Sequence, residues 1–198
     1  EVLRRVQALE PDYRVEVVRC ANVMSDGIRT LTARSATRGL PYPAVRDAAE
    51  LREYCYYVAG VVGEMLCAMM AHYLNLPGLT RLRELAVELG IGLQLVNILK
   101  DARKDSTQQR RYLPPGAGGD AAHADIYTEV LSEARQCLRR GVEFVLALPA
   151  AARELRSFCG LPIAWGAMTL ARAEQDASAA KIGRPAVEAS IAHFGRLA

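Results

Sequence analysis

Apolar residues along this chain recur three and four positions apart, and no stretch alternates in the strict period of a half-buried strand. The periodic runs are punctuated by Pro11, Pro41 and Pro43, Pro77-Gly78, Pro114-Pro115-Gly116, Pro149, Pro162 and Pro185. These breakers predict helices near 12–35, 44–75, 79–105, 124–147, 150–180 (broken near Gly160-Leu161-Pro162) and 185–196. The pattern therefore predicts an all-α bundle. No internal repeat is visible. The one low-complexity stretch, Pro114 to Gly119, contains a GAGG that lacks both a preceding strand and the spacing of a dinucleotide fingerprint.

The third predicted helix carries the densest chemistry. At about 100° per residue, Gln94, Asn97, Asp101 and Asp105 fall within roughly an 80° arc. Leu89, Leu93, Leu95, Val96, Ile98 and Leu99 surround that arc with apolar side chains, so the helix is expected to be buried with its carboxylates turned into a cavity. Two like charges one turn apart require a counter-charge. Hard oxygen donors on neighbouring turns suit Mg²⁺, with Mn²⁺ as a substitute, and leave coordination positions for water and phosphate oxygens. Lys100, Arg103, Lys104, Arg110 and Arg111 then add an anion-binding character. A cation and basic side chains beside an apolar cavity match a diphosphate with an apolar tail, whose departure they would assist. The plain alternative is a solvated helix end with i,i+4 ion pairs. The in-phase Gln94 and Asn97 weigh against it.

The helix predicted over 44–75 has two sides. Gly60, Gly63, Cys67 and Ala71 form a ridge of small residues that lets another helix approach closely, while Tyr54, Val58, Val61, Met65 and Met69 are expected on a different side that can line a pocket. The run from Tyr54 to Leu76 is also long enough to suggest a membrane span. Glu64, His72 and Asn75 interrupt it and no basic flank marks an orientation, so a buried core helix is the better expectation.

Composition narrows the classes. The 198 residues, 51% hydrophobic with mean hydropathy +0.03, suffice for one core. Although the pI is about 8.7, the net charge is only +3 and the 22 arginines are spread along helical faces, which disfavours nucleic acid as a partner. Cys20, Cys55, Cys67, Cys137 and Cys159 lie in apolar segments without CxxC spacing and read as reduced core thiols of a cytoplasmic protein. His72, His123 and His193 are scattered and form no metal-ligand spacing. The chain begins at Glu1 with no signal-like segment, and reads as truncated.

The motif Gln94-x-x-Asn97-Ile-Leu-Lys-Asp101-x-x-x-Asp105-x-x-x-x-Arg110-x-Tyr112-Leu-Pro114, preceded by Tyr54-Cys-Tyr-Tyr-Val-Ala-Gly-Val-Val-Gly63, resembles the squalene/phytoene synthase family of head-to-head prenyl transferases. The similarity runs from about Leu9 to about Arg184. Leu155 to Leu170, with Phe158, Cys159 and Pro162, is similar to the squalene branch in particular. The resemblance implies an isoprenoid-synthase-type bundle around a central apolar cavity, with residues 1–198 as the C-terminal part of one catalytic domain. The family's first aspartate-rich motif is expected upstream, because no second DxxxD occurs here.

The resemblance also implies site roles. Tyr54, Asp101, Asp105 and Arg110 are the expected catalytic residues, and Asp101, Asp105 and Asn97 the expected metal ligands. Gln94, Asn97, Val58, Phe158, Cys159 and Lys100 are expected to contact substrate. Tyr54 would face the forming carbocation with its ring or take up a proton on its oxygen; Tyr56 and Tyr57 are read as packing. Phe158 and Cys159 would line a deep apolar pocket, and Lys181 and Arg184 would face solvent. The implied reaction joins two farnesyl diphosphates through presqualene diphosphate to squalene, with Mg²⁺ for ionisation and NADPH for reduction. Peripheral membrane contact for product release is a further expectation. The alternatives are a non-reducing relative making phytoene, dehydrosqualene or hydroxysqualene, or a non-catalytic assembly protein on the same fold. Three departures from the family pattern stand out: Lys100 replaces an arginine and loses its bidentate fork, Lys104 replaces a glutamate, and Gln109 replaces a glycine.

Overall fold

Local chemistry marks where several of the helices begin and end. The computed structural model describes residues 1–40, 42–107, 112–114, 120–175 and 181–195, and among them contains no strand. The elements are α1 (Val2–Gln7), α2 (Pro11–Thr37), α3 (Ala48–Cys55), a π-helical turn (Tyr56–Gly60), α4 (Val61–Leu74), α5 (Thr80–Thr107), α6 (Asp120–Ala147), α7 (Arg153–Gln175) and α8 (Arg184–Gly195). Pro11 opens α2 at the position where its missing N–H costs nothing. The Asp47 carboxylate caps α3 by accepting the Glu50 backbone N–H at 2.9 Å. Asn75, left-handed at φ 53°, closes α4 while the Leu76 N–H reaches back to the Ala71 carbonyl at 2.9 Å, and Pro77 prevents resumption.

The expected helices are all present, with three differences. A short α1 precedes them, because six residues are too few for periodicity to reveal. The helix expected from 44 starts at Ala48 and is interrupted by the π turn. Finally, α7 runs through Pro162 without the expected break, its neighbouring turns held by packing on α5, α6 and α8.

Helix α5 is the centre of the bundle, touching α3, the π turn, α4, α6 and α7. Leu95 and Leu99 on α5, Leu51, Val61, Val130, Phe144, Leu148 and Leu170 are almost wholly removed from water. Each such side chain contributes about 1.5–3 kcal/mol on burial. The small-residue ridge performs as expected: a Cβ on Gly63 would sit 2.1 Å from the Ala86 carbonyl oxygen, and one on Gly90 would sit 2.3 Å from that of Ala59. Only glycine allows this approach. The pairings 59 with 90 and 63 with 86 also show that α4 and α5 run antiparallel.

The segment Ala48–Leu74 is, among the described residues, the one helical stretch long and apolar enough to cross a membrane. It packs here against α2 and α5, as a core helix does. Arginines fasten its N-terminal part: Arg38 grips the buried Glu50 with two bonds of 2.8 Å, and Arg52 bridges Glu88 on α5 and Glu133 on α6, the latter at 2.7 Å. All five cysteines are free and buried, as their apolar surroundings predict. Burial pushes the Cys137 thiol up to about 12, so it stays protonated at neutral pH.

Candidate active site

A cavity of about 270 Å³ lies between α4, α5, α6 and α7. Its wall is apolar except at one end, where Gln94 and Asn97 of α5 contribute amides. The expected contacts Val58, Cys159 and Gln94 all line it, as do Asn97 and Phe158. Leu66, Leu89, Leu93, Phe144 and Pro162 also belong to the wall, although sequence reasoning assigned Leu89 and Leu93 only to the helix's apolar side and left the others without a pocket role.

The side of α4 that faces the cavity differs from the expected one. Val58 lines it, but the next residues are Val62 and Leu66, whereas Val61 is fully buried in the core and Met65 is absent from the lining. The π turn at Tyr56–Gly60 accounts for the change. A π turn takes up one residue more than an α turn, so everything after it rotates by about 100° relative to an uninterrupted helix.

Phe158 is also placed differently. It is 57% exposed, at the outer boundary of the cavity, and does not sit in a deep pocket. Cys159 beside it is 6% exposed, and burial pushes its thiol up to about 11; it is a small apolar wall residue with no nucleophilic character at neutral pH.

The polar stripe continues past the cavity. Asn97 is exposed, and its side-chain oxygen accepts a 2.9 Å hydrogen bond from the Lys100 ammonium, which lies 3.5 Å from the Asp101 carboxylate. The Asp101 side chain is 31% exposed and Asp105 is half-buried. Neither aspartate lines the 270 Å³ cavity. On α5 they come one and two turns after Asn97, about 6 and 12 Å further along the axis than the amide end of this cavity.

Tyr54 lies in the last turn of α3, just before the π turn. It is 7% exposed, and its ring packs against that of Tyr112 at 5.2 Å between centroids. Burial, then the neighbouring Tyr112 phenol, hold the Tyr54 hydroxyl protonated far above its ordinary range. The phenol can therefore offer a ring face or a donated hydrogen bond, whereas a phenolate base at neutral pH is excluded. Tyr112 received no role from the sequence, although it lay inside the quoted Arg110-x-Tyr112-Leu-Pro114 motif. Tyr56 and Tyr57 pack against the core, as expected, with Tyr56 donating to Glu64 at 3.3 Å.

Arg110 lies outside the described residues, as do Gln109, Arg111 and the side chains of Arg103 and Lys104. Lys181 is exposed, and Arg184 pairs with Glu188 at 2.9 Å on the surface. The donors Asn97, Asp101 and Asp105 are hard oxygens on successive turns. That set fits a Mg²⁺ ion bound through one or two carboxylates, with the rest of its shell left to water and phosphate. No group of three or more His, Cys, Asp or Glu side chains suited to a metal occurs among the described residues.

Comparison with known proteins gives a consistent picture. The squalene/phytoene synthase family profile matches residues 2–189. A squalene synthase of Phoma sp. is 27% identical over 143 residues, covering 72% of this chain and 32% of that protein. The bifunctional lycopene cyclase/phytoene synthase of Neurospora crassa is 42% identical over 90 residues, 43% of this chain and 15% of that protein. The chain thus spans about a third or less of the length of these curated relatives. Among solved structures, TcSQS in complex with a ligand superposes with a TM-score of 0.77 at 19% identity, over 96% of this chain and 59% of that one. At that identity the likeness speaks for the fold.

Proposed function

The chain belongs to the squalene/phytoene synthase family, and from that premise we propose that it carries the metal-binding and apolar half of a prenyltransferase site that joins two allylic prenyl diphosphates head to head. The observation that carries this reading is the succession along α5: an apolar cavity, then the amides Gln94 and Asn97, then Lys100 bonded to Asn97 and beside Asp101, with Asp105 one turn further on. A diphosphate held there would place its tail in the cavity.

Asn97, Asp101 and Asp105 would hold Mg²⁺, or Mn²⁺ in its place. When bound, such a cation neutralises diphosphate charge and stabilises it as a leaving group. Lys100, held at present by Asn97 and Asp101, would shift its ammonium onto phosphate oxygens as a mobile point charge. The apolar walls would keep water from the allylic cation left when the C–O bond breaks. Tyr54, kept protonated, would present its ring face to that cation.

Farnesyl diphosphate as substrate, presqualene diphosphate as intermediate and squalene as product form the first reading, supported by the long match to the Phoma squalene synthase. A non-reducing, phytoene-type reaction is the second, supported by the higher local identity to the Neurospora protein. Incubating the full chain with Mg²⁺ and either farnesyl or geranylgeranyl diphosphate, with and without NADPH, tests both. Squalene formed only with NADPH is the expected result for the first, and a forty-carbon product without it for the second. Absence of any condensed product from a protein that carries the upstream aspartate motif as well as these residues and binds Mg²⁺ overturns the proposal.

A further inference from the structure

Three phenols from separate parts of the chain meet around the end of α3. Tyr54 lies in its last turn, Tyr42 belongs to the connection between α2 and α3, and Tyr112 follows α5 outside any helix. The hydroxyls of Tyr54 and Tyr112 share a hydrogen bond, and their rings are tilted at 42° to each other. Tyr42 is an electrostatic neighbour of both, and burial followed by Tyr112 pushes its hydroxyl above the ordinary tyrosine range. Both Tyr42 and Tyr112 are half-buried against the main core. A buried hydroxyl is costly when it lacks a partner. Among the described residues the phenol left in that state is Tyr127, and none of these three is.

A ring that offers its face to a cation must hold its plane, because the edge of the same ring carries the positive part of the quadrupole. Rotation about the bond to a tyrosine ring is broad, so its neighbours set that plane. For Tyr54 the tilted ring of Tyr112 limits the rotation, and the bond between the two hydroxyls fixes the tip. Tyr112 has no helical ladder to hold it and depends on side-chain neighbours, of which Tyr42 is one. Resting on the prenyltransferase reading above, we infer that Tyr42 and Tyr112 are positioning residues for the ring of Tyr54, Tyr112 setting its plane and tip and Tyr42 bracing Tyr112 from the α2–α3 connection. The hydroxyls then act as one unit, so removing a second costs less than removing the first.

The test separates kcat from KM in a protein that carries the upstream aspartate motif as well as these residues, supplied with Mg²⁺ and the prenyl diphosphate it condenses. Tyr112→Phe and Tyr42→Phe keep the packed rings and remove only the hydroxyls. Tyr112→Phe is expected to lower kcat about tenfold, the scale of one hydrogen bond, and Tyr42→Phe a few-fold, each with KM within about twofold of the parent's. Combining Tyr54→Phe with Tyr112→Phe is expected to cost no more than about tenfold, because the two changes break the same bond. Unchanged kcat in either single variant, or losses that multiply to about a hundredfold in the combined one, overturns the assignment and leaves the prenyltransferase reading intact. Absence of condensed product from the parent protein overturns both.

Discussion

Glu50 and Asp101 are both carboxylates on central helices, yet the fold treats them in opposite ways. Glu50 is 5% exposed and saturated: Arg38 holds both oxygens at 2.8 Å and the Arg46 N–H donates at 2.7 Å. Asp101 is nearly a third exposed, and the ammonium of Lys100, one residue before it, comes no closer than 3.5 Å. The bidentate arginine fork locks Glu50 for structure, whereas a mobile lysine leaves Asp101 able to exchange partners. A carboxylate serves the fold when its lone pairs are spent, and is available for a ligand when they are not.

The sharpest way to break this contrast is to remove the carboxylates in turn. Asp101→Asn or Asp105→Asn is expected to lower kcat/KM for condensation about a thousandfold, from loss of several kcal/mol of leaving-group stabilisation. For Asp101→Asn the thermal midpoint should remain near that of the parent. A midpoint that falls sharply instead would mean that Asp101, like Glu50, serves the fold.

Glu50→Ala should behave the other way. Removing one partner of a buried pair costs roughly 3–5 kcal/mol, which is reduced here to about 2–4 because Arg38 retains access to water. Denaturant titration reads the loss, and the Mg²⁺ concentration for half-maximal activity should be unaltered. Arg38, followed by the other neighbouring donors, holds the Glu50 carboxyl below its ordinary range. Its stabilisation is therefore fully present above the unfolded value of about 4.3 and disappears as pH falls through the lower folded value. In the Glu50→Ala variant, the stability-against-pH curve should be flatter below about pH 4.3.

Tyr54→Phe removes a hydroxyl but keeps the ring. An expected loss of about tenfold in kcat, small beside the 10²–10⁴ of a true general base, identifies the ring face as the working part. A larger loss shows that the hydroxyl carries the role. Since burial and Tyr112 keep the parent hydroxyl protonated, no activity limb from Tyr54 should appear between pH 7 and about 10, the ordinary tyrosine value. The mildest change is Lys100→Met, which frees the Asn97 and Asp101 oxygens. Direct titration with Mn²⁺ in the absence of substrate should show binding tighter by a few-fold, the scale of one exposed ion pair. Weaker binding would show that Lys100 supports the metal ligands.

Much of this protein is decided within short stretches of sequence. The helix set follows from spacing and breakers, since a 3.6-residue period is a local property; the close crossing of α4 and α5 follows from Gly63 and Gly90, because only a missing Cβ permits it. The alignment of Gln94, Asn97, Asp101 and Asp105 on one face is likewise set by helical geometry alone. Where that stripe meets the cavity is set elsewhere. The walls come from four helices, and they enclose the space beside Gln94 and Asn97, while Asp101 and Asp105 follow one and two turns further along α5. The π turn itself exchanged Val61 and Met65 for Val62 and Leu66 on the cavity wall, a one-residue phase shift with no signature in apolar spacing. Phe158 reached the outer boundary of the cavity, and Tyr112 the ring of Tyr54, through contacts between residues distant in the chain. Periodicity tells which face of each helix is apolar; only packing determines how those faces are rotated against one another and where they enclose empty space.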